Sequence, residues 1–204
     1  MLLAHLCGVN AVATGINATI KIGDKENVEI EADDNLMELV VVEVNGDELN
    51  IYMKENYHNA KKLNAYITAT SLEAVKTSSA GRIVVEDNVE VETFSGNASS
   101  GGNIRLNGLS ATNISFETSS AGNINVEAGT TIDLNIGVSS GGVINVFDLE
   151  TQNCEARASS GGNARINVVK SLKAEASSGG NIRFKGNPTM NGINTSSGGN
   201  ISQD

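Results

Sequence analysis

The stretch Ser-Ser-Gly-Gly-Asn-Ile at Ser99–Ile104 decides the fold, because it recurs through most of the chain. Together with its close variants it begins at seven serines, Ser78, Ser99, Ser119, Ser139, Ser159, Ser177 and Ser196. The steps between these serines are 21, 20, 20, 20, 18 and 19 residues. Seven copies at a nearly fixed period are typical of a repeat architecture, in which each copy packs against its neighbours.

Apolar residues keep fixed positions relative to the second serine of each motif. They lie two and four residues before it and four and six residues after it, so these side chains share one face of an extended chain. The position four after the serine is filled by Ile83, Ile104, Ile124, Ile144, Ala164, Ile182 and Ile201. The pattern predicts an all-β fold, a right-handed parallel β-helix whose coils of about 20 residues stack as single layers. A β-sandwich is the competing fold, and seven similar repeats with one corner motif favour the β-helix.

The corner of each repeat has further regular features. A glycine stands two residues after the second serine in every copy, as Gly142 does, which indicates a left-handed or crowded backbone. We expect φ to be positive at Gly142, so that Gly142→Val destabilises the fold. The asparagine that follows in five copies predicts a ladder of side-chain hydrogen bonds between coils. The repeat of 21 residues predicts a bulge at Phe94–Gly96.

The N-terminal part lacks the motif but alternates strongly between apolar and polar residues. The alternation predicts strands at 16–22, 27–32, 38–44, 48–53 and 64–69, with a tight turn at Asn45-Gly46-Asp47. We interpret 15–204 as one β-helix domain, with 15–75 as capping N-terminal strands and 76–204 as regular coils. Residues 1–14 are interpreted as a terminal segment or the remnant of an export signal, because they are apolar and contain Ala-Val-Ala.

The charge and composition of the chain argue against certain partners and predict which residues form the core. The formal net charge is −10, which argues against nucleic acid or an anionic membrane as partner, because both require a basic face. No apolar run has the length of a transmembrane helix. Aromatic residues make up only 3% of the chain, so the core is expected to consist of Ile, Val, Leu, Ala and Thr.

No signature of catalysis, metal binding or cofactor binding is found, and we expect none of these. The sequence is compatible with a disulfide between the two cysteines, Cys7 and Cys154, but does not indicate one. The alignment of Cys154 with apolar positions of other repeats favours a buried free thiol.

The chain resembles the family of the putative auto-transporter adhesin head, the head GIN domain. The resemblance covers about residues 9–204 and lies in the N-terminal pattern GINATIKIGDKENVEIEADDNLMELVVVEVNGDELNIYM and in the SSAGRI and SSGGNI corners. It implies a β-helix-like fold and an exported protein that is periplasmic, associated with the outer membrane or extracellular. It supplies no catalytic residues.

One column of polar residues is the candidate binding site. Five residues after the second serine stand Arg105, Asn125, Asn145, Arg165 and Arg183. Arg165 and Arg183 are expected to be direct neighbours, and two adjacent arginines can hold a carboxylate, a sulfate or sugar hydroxyls between them. The alternative is that the two arginines are solvated and splay apart.

Charges elsewhere in the repeats predict pairing between coils. Glu155 and Lys173 share one column and Arg157 and Glu175 share another, with opposite signs on neighbouring coils.

Two functions are compatible with these residues. The first is a non-enzymatic exported module that presents a polar face to a glycan or to a cell-surface protein. The second is a carbohydrate-cleaving enzyme, since pectin-degrading enzymes are β-helices, but it requires a cluster of carboxylates. The carboxylates Glu127, Asp133, Asp148 and Glu150 fall in different columns, which favours the first function.

The last repeat is expected to form an apolar layer that no further coil covers. It contains Ile193, Thr195 and Ile201. Unless Pro188 and the turn near it blunt this edge, we expect a weak homodimer through the C-terminal coil.

Overall fold

The computed structural model describes residues 8–12, 15–57 and 60–204. They form a β-solenoid of about 6 turns with ~20 residues per turn, so the predicted all-β parallel solenoid is confirmed. The strands are β1 (Gly8–Val12), β2 (Asn17–Ile22), β3 (Asn27–Ala32), β4 (Val40–Asn45), β5 (Glu48–Met53), β6 (Leu63–Ala69), β7 (Ala74–Ser78), β8 (Arg82–Ala98), β9 (Asn103–Thr118), β10 (Asn123–Val126), β11 (Gly129–Val138), β12 (Val143–Ala158), β13 (Asn163–Ala176), β14 (Asn181–Lys185), β15 (Thr189–Thr195) and β16 (Asn200–Gln203). A single 3₁₀ turn spans Met37–Leu39.

Each regular coil has three faces, as β9 illustrates. Buried residues alternate with more exposed ones along both ends of β9, but Gly108 and Leu109 are both buried, and Thr112 and Asn113 are both exposed. Because alternation holds only along a straight strand, the chain bends at both places. We call residues 103–107 and their equivalents the first face, 109–112 the second face and 113–118 the third face. The Ser-Ser-Gly-Gly corner joins the third face of one coil to the first face of the next.

The coils stack in parallel with equivalent residues in register. Ile104 pairs with Ile83 on one side and with Ile124 on the other, and Ile124 pairs in turn with Ile144. The predicted apolar columns are buried up to Phe184, and their apolar members belong to one core cluster that extends from Val9 to Phe184, whereas Ile193 and Thr195 of the last coil are exposed. Complete burial of one such aliphatic side chain contributes about 1.5–3 kcal/mol, so the ladder of isoleucines is a main source of stability.

The corners are tight turns with two left-handed residues. In the corner at Ser99, φ is 48° at Ser100 and 75° at Gly101, and the amide of Gly102 donates to the carbonyl of Ser99 at 2.8 Å. These are the features of a type I′ turn. The amide of Gly101 also donates to the carbonyl of Ser120 in the next corner at 3.0 Å. This ladder of backbone bonds between corners offsets the strain of a serine with positive φ.

The strict glycine of the corner serves close packing and not a left-handed backbone. Gly142 is not among the residues with positive φ, so the φ predicted for it is wrong. A Cβ added at Gly142 would lie 2.6 Å from Oγ1 of Thr118, and one at Gly122 would lie 2.1 Å from the carbonyl oxygen of Ala98. The preceding coil leaves no room for a side chain, which supports the other half of the prediction, a crowded backbone.

Two further sequence-based predictions are corrected. The Nδ2 atom of Asn163 donates to the carbonyl of Gly161 at 2.9 Å, and Asn181 bonds Gly179 likewise at 3.1 Å. These asparagines therefore brace their own corners and form no ladder with each other. The bulge between β8 and β9 lies between Val85 and Asn88, at an exposed bend, whereas Phe94–Gly96 stay in register with β9.

The packing of Gly96 explains why its segment cannot bulge. A Cβ at Gly96 would lie 2.7 Å from the ring of Phe116, so backbone and ring are already in close contact. The extra residue is accommodated where side chains point to solvent.

The N-terminal strands form the first layers of the stack and also close it. On one side β1 lies between β7 and β5, and on the other side β2 lies between β8 and β6, all in parallel. The outermost strands, β4 and β3, run antiparallel to β5 and β6. The predicted turn is confirmed as a two-residue connection, Gly46-Asp47, with φ of 63° at Gly46.

The boundary drawn at residue 15 is corrected by β1. The sequence places Gly8–Val12 in the terminal segment, but these residues pair with β5 and β7 and therefore belong to the solenoid. Residues 1–7, on which the interpretation as an export-signal remnant also rests, lie outside the described residues.

The last coil differs in burial from the others. All seven residues of β15 are exposed, including Met190 at 47% and Ile193 at 40%. Among the described strands, β15 pairs only with β13 and β16 pairs only with β14.

Nowhere in the described chain is a helix long and apolar enough to cross a bilayer.

Candidate functional site

The structure brings the five predicted site residues into one continuous column on the first face. Asn125 lies between Arg105 and Asn145 in the sheet register. Arg165 in turn lies between Asn145 and Arg183. The predicted contiguity of the column, including the adjacent arginines, is therefore present. The binding role of these residues stays a prediction.

Each member of this column has an interaction within the chain. Arg105 pairs with Glu127 at 2.7 Å, and Nδ2 of Asn145 donates to Oδ1 of Asn125 at 2.7 Å. The adjacent arginines are drawn to different partners. Cζ of Arg165 lies 4.2 Å from the centre of the Phe147 ring, and Arg183 pairs with Asp204 at 3.5 Å.

The stacking of Arg165 on Phe147 restricts the guanidinium without using its hydrogen-bond donors. A cation above an aromatic ring is attracted to the face of the ring, so the N–H groups at the edge of the guanidinium keep their donors for other acceptors. Nζ of Lys185 lies 5.3 Å from the centre of the same ring. Phe147 thus holds two cations close together at this end of the first face.

A shallow groove of about 260 Å³ runs beside these cations. Its polar lining is Asn163, Arg165, Asn181, Arg183, Asn200 and Ser202. Carboxamides and guanidinium groups at regular spacing suit an acidic or hydroxyl-bearing ligand.

Charge is distributed unevenly along the solenoid. Residues 1–155 contain 8 Lys and Arg against 22 Asp and Glu, a net charge of −14. Residues 156–204 contain 6 Lys and Arg against 2 Asp and Glu, a net charge of +4. The C-terminal coils therefore offer a local basic surface, although the whole chain is acidic.

A second groove, of about 420 Å³, lies on the third face and was not predicted from the sequence. We call it the third-face groove. It spans five coils, and it is lined by Thr93, Asn113, Ile114, Ser115, Asp133, Leu134, Asn135, Asn153, Cys154, Glu155, Ser171 and Lys173. The signal that could have found it is the column Thr93, Asn113, Asp133, Asn153 and Ser171, in which every residue can form hydrogen bonds.

The polar residues of the third-face groove fall into two groups. Nδ2 of Asn153 donates to Oδ1 of Asp133 at 2.9 Å, and Nζ of Lys173 donates to Glu155 at 3.0 Å. The described residues provide no hydrogen-bond partner for the side chains of Asn113, Ser115 and Asn135, which are exposed.

The predicted ion pairs between coils are present at the end of this groove. Glu155 interacts with Lys173 and with Arg157, and Nε of Arg157 lies 3.5 Å from Glu175. The hydrogen bond from Lys173, with the positive charge of Arg157, lowers the pKa of Glu155 below its usual value. The carboxylate therefore stays ionised and neutralised by its cations.

The floor of the third-face groove is apolar and unreactive. It consists of Ile114, Leu134 and Cys154, each at most 5% exposed. The prediction of a buried free thiol at Cys154 is confirmed. Burial raises the pKa of this thiol to about 12, so the nucleophilic thiolate is absent at neutral pH.

The carboxylates considered for an enzyme interact with different partners within the chain. Asp133 lies on the third face with Asn153, whereas Glu127 is paired with Arg105 on the first face. Asp148 is 3.8 Å from Lys185. Within the described residues, no three His, Cys, Asp or Glu side chains are grouped to hold a metal ion.

Solved structures share this architecture. A putative adhesin from Bacteroides fragilis superposes with a TM-score of 0.87 at 20% identity, covering 100% of this chain and 94% of that chain. A putative adhesin from Parabacteroides merdae gives 0.76 at 18% identity with the same coverage. A putative lipid binding protein from Parabacteroides distasonis gives 0.67 at 20% identity, covering 99% and 94%. At these identities the likeness shows the fold alone.

No curated protein matches the chain. A match to a family profile says more about the chain than the structural likeness does. The profile described as "Putative auto-transporter adhesin, head GIN domain" matches residues 9–188, which include the N-terminal strands and most of the regular coils. The chain therefore belongs to the head GIN domain family of putative auto-transporter adhesins.

Proposed function

We propose that the protein is a non-enzymatic, exported, adhesin-like module that binds an acidic glycan on the first face of its C-terminal coils. The observation that carries the proposal is the basic groove formed by Arg165, Arg183 and their neighbouring asparagines in an otherwise acidic chain. Membership of a family of putative adhesins supports a surface-binding role. The carboxylates Glu127, Asp133, Asp148 and Glu150 fall in different columns of the repeat, which favours binding over cleavage.

The chemistry of the groove supports an acidic ligand. Arg165 is held against Phe147, and its N–H groups have no hydrogen-bond partner among the described residues. The one described ion pair of Arg183 is exposed and 3.5 Å long. Exposed ion pairs are worth less than about 1 kcal/mol, so a carboxylate or sulfate that binds both arginines can displace Asp204. Asparagines 163, 181 and 200 add donors and acceptors for hydroxyl groups.

Charge-neutral substitution of the arginines tests this proposal. The variant R165Q/R183Q should bind polygalacturonate and dextran sulfate about tenfold or more weakly than the wild type, because it loses charge-assisted hydrogen bonds. Affinity is measured by calorimetric titration at 50 mM and 300 mM salt, and wild-type binding should weaken as salt rises.

Arg105 provides the matched control. It occupies the same column but is paired with Glu127 in the acidic part of the solenoid, so R105Q should leave affinity unchanged. Equal losses in R105Q and R165Q/R183Q would contradict the proposed site. Release of reducing or unsaturated ends from polygalacturonate by the purified protein would instead establish the alternative, a carbohydrate-cleaving enzyme.

Self-association through the C-terminal coil is a separate part of the proposal. β15 and β16 have free edges within the described chain, and Met190 and Ile193 are exposed where equivalent layers are buried. A second copy that approaches this layer can pair its own last coil with these strands. The expected product is a weak dimer.

A further inference from the structure

The third-face groove has the size of a ligand site and is elongated along the solenoid axis. Its volume of about 420 Å³ is within the range of small-molecule pockets. It extends from Thr93 to Ser171 over five coils, and neighbouring strands are about 4.8 Å apart, so its length is about 19 Å. Such a shape fits an extended chain better than a compact ligand.

The backbone at this groove is already used in pairing. β11 lies between β9 and β12, and β12 pairs in turn with β13, so the strands under the groove have neighbours on both sides. A peptide that binds by strand addition needs a free sheet edge, which this face does not offer. Recognition here therefore depends on side chains.

The side chains at the centre of the groove have unused hydrogen-bonding capacity. Asn113, Ser115 and Asn135 are exposed, and their side chains lack hydrogen-bond partners in the described part of the chain. An amide offers two donors and an acceptor, and a hydroxyl offers one donor and two acceptor sites. The Asp133–Asn153 and Glu155–Lys173 pairs lie beside them, toward the C-terminal end of the groove.

The charged residues and the floor of the third-face groove indicate which class of ligand it can bind. Glu155 is neutralised by Lys173 and Arg157, which leaves Asp133 as the remaining charge in the groove, so an acidic ligand is disfavoured. The unpaired amides suit the hydroxyl groups of an uncharged sugar, whereas the side chains of Ile114, Leu134 and Cys154 face the core and offer the ligand almost no apolar surface. Cys154 stays a neutral thiol and adds no reactivity.

We propose that the third-face groove binds an uncharged, hydroxyl-rich glycan chain that lies along the solenoid axis. This site is separate from the basic groove of the first face, and its ligand differs in charge. The two proposals therefore stand or fall independently.

The test uses neutral polysaccharides as probes for the whole protein. Dextran, mannan, laminarin and galactomannan are copolymerised in native gels, and retardation gives the affinity. We expect at least one of them to retard the wild type equally at low and at high salt. N135A should weaken that binding about fivefold and N113A/N135A about 25-fold, since each change removes hydrogen bonds between neutral groups.

Matched variants separate the two sites. N123A removes an asparagine from the first face of the same coil and should bind like the wild type, as should R165Q/R183Q. S115A offers a smaller change in the groove, should any asparagine variant show an altered melting curve. Failure of all four neutral polysaccharides to bind would overturn the proposal. So would equal losses in N123A and N135A, or a groove that binds unfolded casein and none of the glycans.

Discussion

The regular coils and the N-terminal end cover their apolar layers in different ways. From β8 to β14 each layer is covered by another parallel layer whose residues match it in register. At the N-terminal end the layer of β5 and β6 is covered by β4 and β3, which run antiparallel to their neighbours. Parallel stacking of equal coils has no intrinsic end, whereas an antiparallel edge with different side chains does not offer the next coil a matching surface. Repetition therefore extends this solenoid, and departure from repetition ends it.

Glycine has a different role in the coils and in the N-terminal hairpin. Replacing one glycine of each region by asparagine distinguishes the two roles. A Cβ added at Gly122 in a coil would lie 2.1 Å from the carbonyl oxygen of Ala98, whereas Gly46 in the hairpin has φ of 63° and open space around it. G122N should lower the free energy of unfolding by about 3 kcal/mol, because the preceding coil must move. G46N should cost less than about 1 kcal/mol, since asparagine tolerates the left-handed region.

Urea unfolding followed by circular dichroism measures both variants. If G46N destabilises as much as G122N, close packing is not what distinguishes the corners from the hairpin. G142V should resemble G122N, because its added atoms meet Thr118.

The two ends of the stack should also differ in self-association. I201K and I193K place a charge on the last described coil, so both should abolish the dimer expected for the wild type at micromolar concentration. V42K is the matched control, because Val42 is 37% exposed on the antiparallel edge strand β4 and should have no effect. Sedimentation velocity at several concentrations measures the dimer. A wild type that is monomeric at the highest concentration would mean that the C-terminal edge is blunted within the chain.

The smallest expected effect concerns a carboxylate in each region. Glu31 in β3 accepts hydrogen bonds from Lys62, just before β6, at 2.8 Å and from Asn64 in β6 at 3.1 Å, and the bond from Lys62 lowers the pKa of Glu31. Because the pKa is lower in the folded than in the unfolded state, Glu31 stabilises the fold above its unfolded pKa of about 4.3, and this contribution is lost as the pH falls through the folded pKa.

E31Q should therefore lower the melting temperature slightly at pH 7, and the difference from the wild type should vanish in strong acid. Hydrogen exchange should become faster in β3 for E31Q but not for E155Q, which removes the pair with Lys173 from the coils. Faster exchange in β3 for both variants would show that the cap and the coils open together.

The sequence predicts this fold well where apolar and polar residues alternate regularly. β3 and β5 begin and end where alternation predicts, and the apolar columns are buried, because a period of two residues identifies the inward face directly. The same pattern does not identify a strand's neighbour. That β1 lies between β5 and β7, and that Gly142 is retained for space, follow from contacts between distant coils.

The two candidate sites also differ in how far the sequence predicts them. The register of the Arg165 column follows from counting residues after each corner, so its contiguity was predictable. The third-face groove depends on which side chains already have partners. Asn135 and Asn153 are both asparagines in the third face, yet only Asn153 is bonded to Asp133.

Because the coils match in register, the length of the first and third faces is set by the number of coils. Residues 119–138 form one complete coil between β9 and β12 and begin at the same serine of the motif as the coil that follows. Excision of these 20 residues would join Thr118 to Ser139 and restore an ordinary corner. The molecule would shorten by about 4.8 Å and lose Asn135 from the middle of its groove, while the inward columns would remain matched. Gain or loss of whole coils by duplication thus offers a way to lengthen or shorten these faces stepwise, without redesign of the interior.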